Sequence, residues 1–406
     1  MSGLRYLKSI GGNASVSAAS LATTASVLSI YSMEDFGFYS LALIFSTLTF
    51  SVVNSLFVAS MQDYVTNNEL LDADLAAFTL SNVVAILAMA LLFSGYTQLT
   101  FDQSALTVAV FFYLVSSGVR WLVKSYRQML ADVNGYVVSD ALLALGMFIL
   151  SAFALLTKFE LVTFFWLMSA VQVCSMLSLK STFLAKSFIV FRFDNLSKIV
   201  EGYRMRGKDA LIGTFTLELS QNSHSYLISL FAGPQAFAPI ALANLVFRPF
   251  AVVMAGLVQS ERPLFSKLLI EKKMAEVQQA CSKLQKIVLS CLAVNVCIAA
   301  VAMYLYEEQI IEKVGHFDSF QLILSIMVLI CLLRTFRFPI ALLFQSLGAY
   351  GVIKNAVFAS GLVSLFTVLA CLFFGWVQAS IIGLLLGEIV MFVYLKRLLK
   401  RHVYET

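Results

Sequence analysis

The sequence is poor in charge. Only 13% of its 406 residues are Asp, Glu, Lys or Arg, against 60% hydrophobic and a mean hydropathy of +0.87, so it has too little polar material to clothe a water-soluble core. Lipid must solvate it. The groups of soluble-enzyme chemistry are scarce too. Three His (His224, His316, His402) stand far apart, and neither a GxxxxGK[ST] phosphate loop nor an HExxH zinc motif occurs. ATP drive built into the chain is excluded, though an ATPase partner is not. The six Cys include no CxxC pair, and all but Cys281 lie in apolar segments; they read as small core hydrophobes, not disulfides or metal ligands. No metal, cofactor or nucleic-acid partner is expected.

Long apolar runs are what the chain does have. A hydrocarbon core about 30 Å thick requires roughly 20 helical residues. Runs of that length fall near 9–31, 38–61, 75–95, 105–126, 136–157, 161–179, 209–231, 236–259, 286–306, 319–346, 353–374 and 378–396. The first follows Arg5 and Lys8, exceeds twenty residues and contains Asn13 with many Ser and Thr, so an uncleaved span is expected rather than a signal peptide. Short links at Ser32 to Gly37, Lys158 to Glu160 and Gly375 to Gln378 force antiparallel neighbours. Lipid forbids exposed irregular backbone. The fold class is therefore all-α, a polytopic membrane protein of twelve transmembrane helices.

Basic residues set the orientation. Of 28 Lys and Arg, 22 lie on the side of the N-terminus, two (Lys158, Lys313) on the other, and four (Arg120, Arg248, Arg334, Arg337) within spans. The positive-inside bias predicts cytoplasmic termini and accounts for the net charge of +5. One loop departs from it: Gln62 to Asp74 has no Lys or Arg and carries Asp63, Glu69, Asp72 and Asp74. Outer loops are short. Inside, Ile270, Met274, Val277, Cys281 and Leu284 recur at spacings of four and three among charges, which predicts an amphipathic surface helix within 262–286.

The longest basic loop splits the spans six and six, giving an N-terminal lobe (1–180), an inter-lobe loop (181–208) and a C-terminal lobe (209–406). Even halves imply parallel repeats about a pseudo-two-fold axis normal to the membrane. Displacing the first span by 201 residues lays Asn13, Ser17, Ser20 and Thr24 onto Thr214, Glu218, Gln221 and Ser225. Residues three and four apart share a helix face, and a polar face in a membrane turns to protein or water. Spans 1 and 7 then line a cleft, through Asn13, Ser17, Gln221 and Asn222; otherwise their hydroxyls serve close helix packing.

A central Arg costs about 2.5–3.5 kcal/mol on insertion scales, so such residues need partners or a purpose. Arg120 lies about two turns from the cytoplasmic end of span 4, near Lys124, from where its stem could snorkel to the headgroups. Arg248, beside Pro249, is near the middle of span 8. Arg334 and Arg337 lie one turn apart in span 10, with Pro339 beyond. These three form a candidate anion site, with Arg120 as a further member. Two acids, Glu218 and Glu388, sit at comparable depth. Either Glu388 pairs with Arg334 or Arg337 to fix helix packing, or the carboxylates take up a coupling proton or sodium ion. Asp140 in span 5 is a weaker coupling candidate, and His224 reads as a satisfied interior histidine.

At Ser32-Met33-Glu34-Asp35-Phe36-Gly37-Phe38-Tyr39-Ser40-Leu41-Ala42 the chain resembles the Wzx-type polysaccharide and O-antigen flippases, which carry a Gly-Pro-Glu-Asp/Glu-Phe-Gly-like turn followed by an aromatic and a Leu-Ala step. Ser32-Met33 replaces Gly-Pro here, while the second half has Gly233-Pro234-Gln235-Ala236-Phe237. The resemblance implies the multidrug/oligosaccharidyl-lipid/polysaccharide flippase superfamily, a bacterial inner-membrane location, and alternating-access transport of an oligosaccharide on undecaprenyl pyrophosphate. Partners so implied are H+ or Na+, membrane lipids, a polysaccharide polymerase and a chain-length regulator. Two other functions stay open. A multidrug/cation antiporter favours an acidic cavity, and an oligosaccharide polymerase or ligase needs a sizeable outer loop.

Overall fold

Helix accounts for nearly all of the computed structural model, which describes residues 3–58, 72–130, 132–179, 203–305, 307–314 and 317–403 and single positions at 61, 184, 187, 189–190 and 200–201. Among the described residues no strand occurs and thirteen α-helices follow one another: α1 (Gly3–Ile30), α2 (Met33–Val53), α3 (Asp72–Phe101), α4 (Ser104–Met129), α5 (Val133–Thr157), α6 (Leu161–Leu177), α7 (Lys208–Phe231), α8 (Pro234–Ile270), α9 (Met274–Leu305), α10 (Glu307–Val314), α11 (Phe317–Ser346), α12 (Tyr350–Phe373) and α13 (Ile381–Val403). All but the short α10 coincide one for one with the expected spans. Nine are long and apolar enough to cross a membrane among the described residues. Of the other three, Ala14–Ile30 of α1 and Leu161–Leu177 of α6 are apolar but shorter, and α7 carries the polar stripe. The chain is a multi-pass membrane protein. Most of the inter-lobe loop 181–208 and of the acidic loop 62–74 lies outside the described residues.

Two compact units emerge: Met1–Tyr31 with Tyr39–Phe215, and Ser32–Phe38 with Thr216–Thr406. In the first, α1 packs on α5, and α4 on α3 and α6. Phe164 and Phe165 of α6 are fully buried, with Tyr39 edge-on to Phe164 at 5.9 Å. Beyond Val53 the second helix widens into a π turn, Asn54–Val58, where Asn54 Oδ1 accepts from Trp121 Nε1 at 3.0 Å and Phe50 stacks on Trp121 at 4.7 Å. The hydroxyls of α1 largely turn back on their own helix: Thr23, Thr24 and Ser26 each donate to the carbonyl four residues earlier.

In the second unit α8 packs on α9 and α11, and α13 on α11 and α12. The turn Ser32–Phe38 belongs to it. Gly37 lies so close to Pro234, where the second copy of the motif begins, that an added Cβ would stand 2.0 Å from the Pro234 carbonyl oxygen. Backbone must move to accept any side chain there. Gly37→Ala is expected to lower stability by about 1–3 kcal/mol, the usual penalty of overpacking, read as a lower melting temperature in detergent; an unchanged melt would show that the contact is not fixed.

The expected surface helix within 262–286 is not formed. Instead α8 runs 37 residues and α9 runs 32, lengths of roughly 55 and 48 Å at 1.5 Å per residue, well past the hydrocarbon thickness. The charges belong to the ends of these two helices. They reverse at 271–273, with Lys272 in the left-handed region (φ 56°) and Lys273 N donating to Leu268 O at 3.0 Å. Val277 and Leu284, read as facing lipid, are buried in the unit instead.

Candidate functional site

Three residues apart on α11, Arg334 and Arg337 share one face. A carboxylate reaches them because α13 can approach closely. Gly383 and Gly387 leave room where a Cβ would fall 2.9 Å from Ser364 O and 3.0 Å from Ser360 O of α12. Glu388, next in the chain, then accepts from Arg334 Nε at 2.7 Å through Oε1, while Arg337 Nε stands 3.1 Å from Oε2 in an ion-pair contact. Of the two readings of Glu388, arginine pairing and uptake of a coupling ion, the structure forms the pairing, and it involves both arginines.

Two guanidiniums share one carboxylate, so the cluster carries net charge +1. Its sides differ in exposure: the Glu388 side chain is 6% exposed, Arg337 16% and Arg334 27%. Both arginines spend only Nε on Glu388. Among the described residues their terminal nitrogens make no hydrogen bond. The acid is thus satisfied from one side, and four planar N–H-bearing nitrogens stay available to an anion, in the fork geometry that suits phosphate oxygens.

The polar stripe of α7 supplies a second feature. Glu218 Oε1 accepts from Asn222 Nδ2 at 3.1 Å and from the Tyr226 hydroxyl at 2.5 Å, both on its own helix. Glu218 Oε2 has no hydrogen bond, and Glu218 no ion pair, among the described residues. Gln221 is exposed and Asn222 half-buried. Ser220 meets Ser360 at 3.0 Å and ties α7 to α12. His224 is buried within electrostatic range of Arg334; Ser225 Oγ lies 3.2 Å from its Nε2, but Nδ1 lacks a partner among the described residues, so the histidine is not fully satisfied. Arg248 is half-buried on α8, which packs on α11.

Arg120 does not snorkel. It is 4% exposed and donates through Nη2 to Asp140 Oδ1 at 2.8 Å and through Nε to Ser175 Oγ at 2.8 Å. Lys124 Nζ takes Asp140 Oδ2 at 2.7 Å, and Ser139 also accepts from Arg120 Nη2, at 3.3 Å. Four residues from Arg120 on α4, Lys124 is on the same face, and α5 delivers Asp140 between them. With both oxygens committed to cations, Asp140 has none to offer a coupling ion, and Arg120 has no route to a substrate. Lys124, Ser139 and Ser175 were missed as members of this cluster; the i, i+4 spacing of Arg120 and Lys124 was their one visible signal. Ser17 is half-buried on α1, and the side chain of Asn13 lies outside the described residues.

The two triads have the same plan. In each unit the fourth long helix of a half carries two cations one turn apart, and one acid from another helix clamps them. They differ in access, since all three side chains of the first are at most 5% exposed. In this structure the second offers more side-chain surface to a solute.

No protein family model matches the sequence, and no curated protein does. Solved structures do. A multidrug resistance MATE family transporter of the MOP superfamily in an inward-facing conformation aligns over 95% of both chains at TM-score 0.64 and 12% identity. An outward-facing structure of such a transporter aligns over 98% of this chain and 94% of its own, at TM-score 0.62 and 12% identity. A MOP superfamily transporter from Pyrococcus furiosus, described by the reverse polarity of its binding pocket and a suggested different function, aligns at TM-score 0.58 and 12% identity over 97% and 94%. Over nearly its whole length, this chain has the fold of MATE-type transporters of the MOP superfamily.

Proposed function

We propose that the protein is a flippase that carries undecaprenyl-pyrophosphate-linked oligosaccharide from the cytoplasmic to the outer leaflet of the bacterial inner membrane by alternating access. Its termini are cytoplasmic on this reading, and a polymerase and chain-length regulator would use its product. The observation that carries the proposal is the Arg334–Arg337–Glu388 cluster, a net cationic group inside the apolar region whose terminal N–H groups are uncommitted. A pyrophosphate is a matching guest, because planar guanidiniums engage phosphate oxygens bidentately. Gln221 and Arg248 supply further donors for the glycan and its phosphate, and the fold shared with transporters solved in inward- and outward-facing forms supplies a route. Arg120 and Asp140, sealed on each other, hold the N-terminal unit together.

Glu218 is the coupling residue of this proposal. A carboxylate at membrane depth with one oxygen fixed by Tyr226 and Asn222 and the other open is suited to exchanging H+ or Na+. Moving two negative charges outward from a negative interior gains roughly 4–5 kcal/mol per 100 mV, so the coupling ion serves to release the anion and reset the carrier. In proteoliposomes, flipping of the lipid-linked glycan is expected to quicken with an inside-negative potential, and Glu218→Gln to abolish its response to an ion gradient while leaving cargo binding intact. Flipping indifferent to potential would overturn the anionic cargo; an intact gradient response in Glu218→Gln would overturn the coupling role.

A further inference from the structure

At the ends of α9, α11 and α13 on the basic side of the protein, the C-terminal unit frames a half-open cavity of about 530 Å³, inside the roughly 300–1,000 Å³ range of small-molecule sites. Its walls are apolar, with Val277 from α9, Phe336 and Leu343 from α11, and Phe392 from α13. No acid lines it. Charge enters at one place only: Lys396, two turns beyond the buried Glu388 on α13 and so roughly 12 Å farther toward the basic surface, holds its Nζ 5.5 Å from the centroid of the Phe392 ring. Lys396 is exposed and has no carboxylate within ion-pair distance among the described residues. Exposed Arg397 follows it, and Lys283 and Lys286 stand on the nearby end of α9.

An apolar chamber between helices with an unneutralised ammonium at its mouth, at the level where spans leave the membrane, is complementary to one class of molecule in that leaflet. We propose that this cavity binds an anionic phospholipid, with an acyl chain among Val277, Phe336, Leu343 and Phe392 and the headgroup phosphate on Lys396. Basic pockets between transmembrane helices on the cytoplasmic side recognise lipid headgroups in this way, and the lysine stem covers apolar surface while its charge meets the phosphate. The glycan cargo is a poor match for it. The walls carry just two amides, Gln278 and Gln285, and no polar stripe for sugars. The site is therefore independent of what the protein transports, and a bound lipid there would brace α11 below the Arg334–Arg337 cluster.

The full chain, purified in mild detergent and titrated with phosphatidylglycerol or phosphatidylcholine, tests this by native mass spectrometry. Phosphatidylglycerol is expected to be retained in preference, and Lys396→Glu to weaken its retention about tenfold, the loss of one charge-assisted contact. Cys281→Trp, which fills the cavity, should lower retention of both lipids. Lys286→Glu, which reverses a charge outside the cavity, should change neither. A readout on the unaltered protein guards against variants that fail to fold: phosphatidylglycerol should slow alkylation of the half-buried wall residue Cys281 by N-ethylmaleimide. Equal effects of Lys396→Glu and Lys286→Glu, no preference between lipids, or no protection of Cys281 would each overturn the site. So would undecaprenyl phosphate displacing phosphatidylglycerol there, which would assign the cavity to the cargo, or protection of Cys281 in a lipid-free dimer. None of these outcomes bears on whether the glycan is flipped.

Discussion

Asp140→Ala is expected to cost about 3–5 kcal/mol of stability, the measured scale for removing one partner of a buried charge cluster, and to deplete folded protein from the membrane. The reason is geometric. Arg120 and Lys124 are each 5% exposed in their side chains and look to the same carboxylate, so its removal leaves two uncompensated cations one turn apart with no path to water. Asp140→Asn should cost nearly as much, since an amide keeps one acceptor but no charge. Glu388→Gln should cost distinctly less, because Arg334 and Arg337 are 27% and 16% exposed and can rehydrate. A detergent melting series over the three variants reads the order; a Glu388 variant less stable than an Asp140 variant would sink the assignment of the first triad as the structural one. Replacing Arg120, Lys124 and Asp140 together by Met, Met and Leu should be near neutral, because the desolvation penalty goes with the charges.

That contrast explains how much of the site the sequence disclosed. Twelve helices were legible because lipid imposes a length and an apolarity on each, and α7 was legible as a span despite its polar stripe because neighbouring spans bracket it. The Arg334–Glu388 pairing was legible as one of two readings, because two arginines three apart at membrane depth need a carboxylate partner and only Glu218 and Glu388 lie deep enough to offer one. Arg120 was not, since a basic pair near a helix end looks the same in sequence whether its stems reach the headgroups or fold inward onto an acid. What decides is the packing of α4 on α5 and α6, where Ser139 and Ser175 complete the guanidinium's partners. Those two serines are ordinary residues of apolar helices, and no spacing rule marks them.

The misread segment 262–286 has a similar origin. Apolar residues at spacings of three and four describe one helical face, and a helix lying on a membrane and a helix end packed on its neighbour share that pattern. Length separates them, but only once the ends of α8 and α9 are seen to continue their spans without a break. The cavity at Lys396 was invisible for a related reason, since it is made from three helices distant in sequence.

The largest functional loss should follow Arg334→Ala and Arg337→Ala. Each deletes a guanidinium whose terminal nitrogens are free for an anion, and a hydrogen bond to a charged group contributes about 1.5–3 kcal/mol, so on the proposed function arrival of lipid-linked glycan at the outer leaflet should fall roughly ten- to hundred-fold. Folding need not suffer in proportion, because either remaining arginine still pairs Glu388 and leaves no uncompensated carboxylate. Neutrality is itself the test. With one arginine removed, the cluster's charge drops from +1 to zero, and Arg334→Lys or Arg337→Lys, which restores the charge without the planar fork, should recover transport only in part. Glu388→Gln moves the other way, to +2. If the proposed cargo is anionic, it should bind more tightly and yet turn over more slowly, because without the neutralising carboxylate beside the guanidiniums the ion taken up at Glu218 has a stronger hold on the phosphate to overcome. Glycan arrival measured beside membrane protein level and detergent melting decides the matter: unimpaired arrival in both alanine variants at normal level would remove the anion site, and faster turnover in Glu388→Gln would show that Glu388 holds helices and plays no part in release.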